Sequence, residues 1–158
     1  MNEWDKLAET LKKEADEILD KSNLVRILLK YGNVHFIGSY YYNLLTWRDI
    51  DICLEMENVN PEIIFDIGKE IAQIPNVGTI YYRNEFVLHT VGNPLAIFLC
   101  VELYESSDKK WKLDILISNS AEVKRVLNQG KRFMKKLNEK NRAIILIIKS
   151  KLSMTPEY

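Results

Sequence analysis

Two aspartates separated by one residue are the clearest chemical feature of this sequence. They lie in the segment Arg48-Asp49-Ile50-Asp51-Ile52, whose alternating acidic and apolar residues are typical of a β-strand. Side chains alternate between the two faces of a strand, so both carboxylates share one face. Like charges this close repel each other, and aspartate has a low β-propensity. A cation such as Mg²⁺ would stabilise the pair; the alternative is an edge strand with a solvated acidic face.

A third aspartate lies alone in a later apolar segment, Lys112-Leu113-Asp114-Ile115-Leu116. An unpaired carboxylate inside a sheet is unfavourable. If this strand lies beside the strand of Asp49 and Asp51, Asp114 becomes a third carboxylate of the same metal site. The alternative is a salt bridge to Lys112, which alternation places on the same face.

The dipeptide Gly38-Ser39 lies where a short β-like segment is followed by a helical one. Glycine permits a sharp turn and the close approach of a ligand, and the free amides of a helix N-terminus suit a phosphate. Gly-Ser is also common in ordinary turns. Arg48 is a candidate phosphate contact, with a surface ion pair as its alternative. His35 and His89 have no Cys or His at ligand spacing, so we expect no zinc site.

Taken together, these segments resemble the nucleotidyltransferase superfamily, which has the DNA polymerase β-like fold. The matching residues are Ile37-Gly38-Ser39, then Asp49-Ile50-Asp51-Ile52, with nine residues between Ser39 and Asp49. Asp114 is the candidate for the third acid of the family. The resemblance covers residues 34–117 and is nearest to small antibiotic-modifying and minimal stand-alone members.

The resemblance implies a magnesium-dependent enzyme that moves an NMP from an NTP, expected to be ATP, to a hydroxyl of a small molecule or protein. Pyrophosphate would be released. Asp49 and Asp51 would hold one or two Mg²⁺, and Asp114 would bind the second metal or accept the proton of the acceptor hydroxyl. Gly38 and Ser39, with Arg48, would bind the nucleotide phosphates.

Two other functions fit the same fold. Minimal members also act as antitoxins that modify or bind a protein partner, and some domains bind nucleotide without turnover. A nucleic-acid end-modifying enzyme is a third alternative. We do not expect a nucleic-acid partner, because 158 residues leave little room for a separate nucleic-acid-holding domain.

The elements that must position these residues follow from periodicity and from turn residues. The predicted order is α, α, β, α, β, α, β, β, β, α, α, which gives an α/β or α+β domain with a mixed sheet of about five strands and C-terminal helices. Asn60-Pro61 is a strong helix start. The predicted helices are 2–20, 24–31, 40–47, 61–74, 120–137 and 141–152, and the predicted strands are 34–37, 49–55, 79–90, 94–104 and 111–117.

Length and composition favour one compact domain. The chain is 47% hydrophobic and 28% charged, as in an ordinary globular protein. We expect a core at 1–120 and a basic helical segment at 121–158. Two isolated cysteines and the lack of a leader or a membrane-length apolar run favour a cytoplasmic protein.

The formal charge of zero conceals a division along the chain. Residues 1–120 carry a net charge of −7 and residues 121–151 carry +8. The basic stretch is either the solvated face of helices or a surface for polyphosphate or nucleic acid. Lys149 and Lys151 on the last helix are candidates to approach a triphosphate. Residues 155–158 resemble the start of a further segment.

Overall fold

A five-stranded mixed sheet forms the centre of the protein, and a computed structural model describes residues 3–153. The strand order is β1-β2-β5-β4-β3. β2 and β5 are parallel, and the other neighbouring pairs are antiparallel. The strands are β1 Asn33–Ile37, β2 Asp49–Glu55, β3 Val77–Asn84, β4 Ile97–Ser106 and β5 Lys109–Ser118.

Seven helices surround this sheet in the described part of the chain. α4 begins as Asn60-Pro61 predicts, because the Asn60 side chain accepts a hydrogen bond from the Ile63 amide and proline occupies the first turn. The helices are α1 Glu3–Ser22, α2 Leu24–Leu28, α3 Gly38–Tyr41, α4 Pro61–Ile71, α5 Glu85–Leu88, α6 Ser120–Lys136 and α7 Glu139–Ser153.

The two faces of the sheet have different roles. One face packs against α1, α2 and α4 to form the main core, and it includes Ile50, Ile52 and Leu54 of β2. On the opposite face, Cys53 and Leu116 pack under Val123 of α6. Asp51 and Asp114 lie two residues before Cys53 and Leu116 and therefore on that same face.

The predicted fold class is confirmed: the sheet is mixed, has five strands and is followed by two C-terminal helices. The predicted strand 79–90 is wrong at its end. β3 ends at Asn84, whose side chain accepts from the Phe86 amide and begins α5, and the buried Glu85 accepts from the Thr90 amide at 2.9 Å. Local capping therefore ends the strand despite its aromatic and β-branched residues.

The last helix also differs, since α7 begins at Glu139 rather than at Asn141. Its buried Leu146 packs with Ala8 of α1, which joins the two ends of the described chain. The boundary between 1–120 and 121–158 stays a prediction, and the expectation for 155–158 lies outside the described residues. Among residues 3–153, no helix is both long and apolar enough to span a membrane.

Candidate metal and nucleotide site

Three carboxylates converge on the open end of the sheet face beside α6. Parallel pairing places Asp51 directly beside Asp114. Asp49 lies two residues earlier on β2 and therefore on the same face of the sheet. One oxygen from each of the three carboxylates lies within 4.8 Å of the other two. The predicted pairing of the two aspartate-bearing strands is therefore confirmed, and the three acids form one cluster.

Gly38 brings the backbone against this cluster. β1 is antiparallel to β2, and its last residue, Ile37, pairs with Asp51. At Gly38 the chain turns into α3 with φ +63°, in the left-handed region that favours glycine. A Cβ atom at this position would overlap Oδ2 of Asp51. Glycine is thus required both by the backbone conformation and by the contact with the carboxylate.

Burial and mutual repulsion disfavour the charged form of two of these acids. Burial, followed by the charges of Asp49 and Asp114, raises the pKa of Asp51 to about 7. Burial also raises the pKa of Asp49, with a smaller contribution from Asp114, although Lys112 opposes the rise. A bound cation would reverse this effect, because it would stabilise all three carboxylates in their charged form.

Two carboxylate oxygens of the cluster have no partner. Oδ1 of Asp49 and Oδ1 of Asp114 are buried and form no hydrogen bond. Burying a hydrogen-bond acceptor without a donor is unfavourable unless a bound ligand interacts with that acceptor. A set of carboxylate oxygens, two of which have no hydrogen-bond partner, fits a hard divalent cation such as Mg²⁺. Among residues 3–153, this is the one group of three or more acidic, His or Cys side chains close enough to hold a metal.

Two lysines border the carboxylates. Lys112 Nζ donates to Asp114 Oδ2 at 2.6 Å, so the salt bridge considered as an alternative is present together with the cluster. Lys149 of α7 donates to the Ser39 hydroxyl and lies 4.5 Å from the centre of the Trp47 ring. Burial lowers the pKa of Lys149, and the charges of Asp49 and Asp51 oppose that change.

Arg48 lies apart from the other predicted site residues. Its Nε donates to Glu14 Oε2 of α1 at 3.0 Å, which is the ion pair considered as its alternative. Its phosphate role stays a prediction. The structure brings together Gly38, Ser39 and the three aspartates. It also places Trp47, a residue that the sequence analysis missed, against the cluster, because its indole N–H lies 3.4 Å from Asp49 Oδ2.

His35 behaves as a structural residue, since its Nε2 lies 2.9 Å from Glu55 Oε2. Exposed His89 ends α5 in the left-handed conformation. Neither histidine belongs to the acidic cluster.

Known proteins share this fold without close sequence similarity. No family model matches the chain, and no curated protein matches it. The solved structure of the Cid1 poly(U) polymerase with Mg and 3′-dATP bound is 16% identical with a TM-score of 0.57, covering 94% of this chain and 46% of the other. A cytoplasmic RNA terminal U-transferase is 17% identical with a TM-score of 0.53, covering 94% and 43%.

This likeness shows a common fold, as the resemblance in the sequence predicts. The chain spans less than half the length of either solved structure.

Proposed function

We propose that this chain, which has the nucleotidyltransferase fold, is a magnesium-dependent nucleotidyltransferase. It would transfer an NMP from an NTP to a hydroxyl group and release pyrophosphate. The observation that carries the proposal is the convergence of three carboxylate oxygens within 4.8 Å, beside a glycine turn that no side chain could occupy without striking Asp51.

The three aspartates would hold one or two Mg²⁺. The bound ions would neutralise the triphosphate and stabilise the charge that develops on the attacking and leaving oxygens. The unsatisfied oxygens of Asp49 and Asp114 support this role, because they are buried acceptors without a donor. One neighbour was solved with Mg and 3′-dATP bound, which supports a metal and a nucleotide at the corresponding place in the fold.

The phosphates would lie along the turn at Gly38. Backbone amides of this turn and the Ser39 hydroxyl would donate to them, and Lys149, which already contacts Ser39, would supply a positive charge. The Trp47 ring lies against the Lys149 ammonium, in a cation–π contact. Arg48 is expected to act indirectly, because its guanidinium is held by Glu14.

Asp114 is the candidate for the proton acceptor. Its Oδ2 accepts from Lys112, whereas its Oδ1 has no donor. The acceptor oxygen would bond to the α-phosphorus, the bond from that phosphorus to the β-phosphate oxygen would break, and the hydroxyl proton would pass to Asp114 Oδ1. Asp114 could instead serve mainly as a metal ligand.

The proposed reaction needs a donor nucleotide and an acceptor hydroxyl. ATP and a small-molecule or protein hydroxyl are the sequence-based expectations. The expectation against nucleic acid finds no support, since one neighbour is a poly(U) polymerase and the other an RNA terminal U-transferase. A cytoplasmic setting, favoured by the two free cysteines, completes the proposal.

The test is Mg²⁺-dependent pyrophosphate release with each of the four NTPs, together with calorimetric titration of Mg²⁺-NTP. We expect Asp49→Asn and Asp51→Asn to lower turnover by about a hundredfold or more, because each removes a metal ligand. Asp108→Asn, in the exposed turn between β4 and β5, is the charge-matched control and should leave turnover unchanged. Turnover at the wild-type rate in both cluster variants would refute the proposal.

A second candidate, a domain that acts by binding a protein partner, is favoured by α7. Ile144, Ile147 and Ile148 lie on one helical face, and 48%, 38% and 53% of their surfaces are exposed. Such a face suits an interface. Tight Mg²⁺-NTP binding with no pyrophosphate release, in the presence of hydroxyl compounds and RNA, would favour this candidate over the enzyme.

A further inference from the structure

A groove lies beside the carboxylate cluster. It runs between β1, α3 and α6 and encloses about 930 Å³. We call it the α6 groove and define it by six of its lining residues: Phe36, Tyr41, Tyr42, Lys131, Arg132 and Lys135.

The cations of the α6 groove are free to bind an anion. Lys131, Arg132 and Lys135 are exposed, and within residues 3–153 none of them forms a salt bridge with an acid. Arg125, earlier on the same helix, shows the contrast, because its Nη2 lies 2.6 Å from Glu122 Oε1. No acidic residue lines the groove. Three neighbouring positive charges without counter-charges suit a polyanion.

An aromatic surface accompanies these charges. Tyr41 is 60% exposed and meets Tyr42 edge-on at 5.4 Å between ring centres. Tyr42 in turn packs against Phe133 at 4.9 Å. A Cβ atom at Gly130 of α6 would overlap the Tyr42 hydroxyl, so this glycine permits the close approach of the ring. Tyr41 is therefore an exposed ring on a fixed support, available for stacking.

One edge of the groove lies next to the carboxylates. Ile37 lines it and is the β1 partner of Asp51, and Tyr41 closes the same short helix that Gly38 begins. A chain lying in the groove would therefore have its end beside Asp51 and Asp114.

We propose that the α6 groove binds single-stranded RNA and presents its terminal ribose hydroxyl to the carboxylate cluster. This inference rests on the proposed function and names the acceptor class. Exposed aromatic rings next to cations are the elements that recognise single strands, by stacking on bases and by contacting phosphates. An acidic peptide would use the cations but not the rings. Exposed Asn128 at the groove wall can both donate to and accept from a ribose 2′-hydroxyl.

Binding is measured by fluorescence anisotropy with a labelled single-stranded RNA of about 12 nucleotides, a length typical of single-strand sites, without NTP. We expect the triple variant Lys131→Ala/Arg132→Ala/Lys135→Ala to weaken RNA binding by about tenfold or more. The slope of log Kd against log salt concentration should also fall by about 2, because three phosphate contacts are lost. The control Lys124→Ala/Lys136→Ala/Lys140→Ala removes the same charge from positions outside the groove lining and should change affinity little.

The stacking contribution is tested at Tyr41. Tyr41→Ala should weaken RNA binding by about fivefold or more, and Tyr41→Phe should retain it, since the ring alone stacks. Each variant is also checked for an unchanged thermal unfolding midpoint and for Mg²⁺-NTP affinity.

Three results would overturn the inference: equal weakening by the two triple variants, binding of polyglutamate as tight as that of RNA, or tighter binding of DNA of the same sequence. Different results would overturn the proposed function and this inference. RNA binding that depends on the groove without any NTP turnover overturns the proposed function alone. Turnover on a small hydroxyl compound, with RNA binding that ignores the groove, overturns this inference alone.

Discussion

At the scale of single residues, the contact between Gly38 and Asp51 is the most demanding feature of the site. Oδ2 of Asp51 occupies the volume where any other residue at position 38 would place its Cβ. A carboxylate lying against backbone has few alternative rotamers, so the turn fixes the orientation of Asp51. The same glycine thus shapes the turn that would hold the phosphates and orients Asp51, a proposed metal ligand.

We therefore expect Gly38→Ala to destabilise the fold and to abolish Mg²⁺-dependent pyrophosphate release. Left-handed backbone in a non-glycine residue costs about 1–2 kcal/mol, and the overlap with Asp51 adds to this cost. Gly92→Ala is the matched control: its φ is +89°, but apart from its two chain neighbours no described residue has an atom within 4 Å of its Cβ position. Thermal unfolding should show a loss of stability in both variants, larger in Gly38→Ala because of the overlap with Asp51, and turnover should be lost only in Gly38→Ala. Full activity of Gly38→Ala would contradict the claim that the Gly38 turn orients the Asp51 carboxylate.

At the scale of elements, the sheet register assembles the site. Asp51 and Asp114 meet because β2 and β5 are parallel and in register at these residues. A shift of one residue would turn Asp114 into the core and Leu113 out of it. The helices fix this register from the core face, where α4 buries Ile64, Ile67 and Ile71.

The start of α4 offers a test that leaves the site intact. Asn60→Ala removes the side-chain acceptor of the Ile63 amide and should lower the free energy of unfolding by about 1 kcal/mol. Asn60→Asp keeps an acceptor oxygen and should restore most of that stability. Urea unfolding measures both variants, and neither should change the affinity for Mg²⁺-NTP. An unaffected midpoint in Asn60→Ala would show that Pro61 alone starts the helix.

The sequence predicts elements and site residues where local chemistry decides them. Alternation gives the bounds of β2, and Gly38, Ser39 and the three aspartates stand out by residue type and spacing. The end of β3 is missed because Asn84 and Glu85 act through hydrogen bonds that periodicity does not reveal. The sequence offers an ion pair for Arg48 and singles out the basic stretch that contains the cations of the α6 groove. The partner of Arg48, Glu14, and the position of the groove beside the cluster depend on tertiary packing, so no local pattern predicts these two.

At the scale of the whole molecule, the acidic cluster lowers stability in the absence of metal. Burial, followed by the charges of Asp49 and Asp114, raises the pKa of Asp51, so its charged form is disfavoured in the folded state. A raised carboxyl pKa favours the folded state at low pH, and that contribution is lost as the pH rises towards the folded-state value. The stability therefore depends on pH between 3.8, the ordinary pKa of an aspartate carboxyl, and about 7, the pKa of Asp51 in the folded protein.

In chelator, we expect Asp51→Asn to be more stable than the wild type, with a difference that grows by roughly 1 kcal/mol per pH unit across this window. Thermal unfolding from pH 4 to 8 measures it. Added Mg²⁺ should raise the midpoint of the wild type, because it binds only the folded state, and should raise that of the variant far less. Parallel pH profiles for the two proteins would contradict the cost assigned to Asp51.

The parallel pairing of β2 with β5 has a consequence for how the protein matures. The partners are separated along the chain by α4, β3, α5 and β4, so a growing polypeptide emerging from the ribosome holds Asp49 and Asp51 long before Asp114 exists. The proposed metal site, which needs all three carboxylates, would therefore form only after nearly the entire sheet has been synthesised and has folded. Acquisition of divalent-ion affinity would therefore report completion of folding, and partly made chains would be inert towards nucleotide.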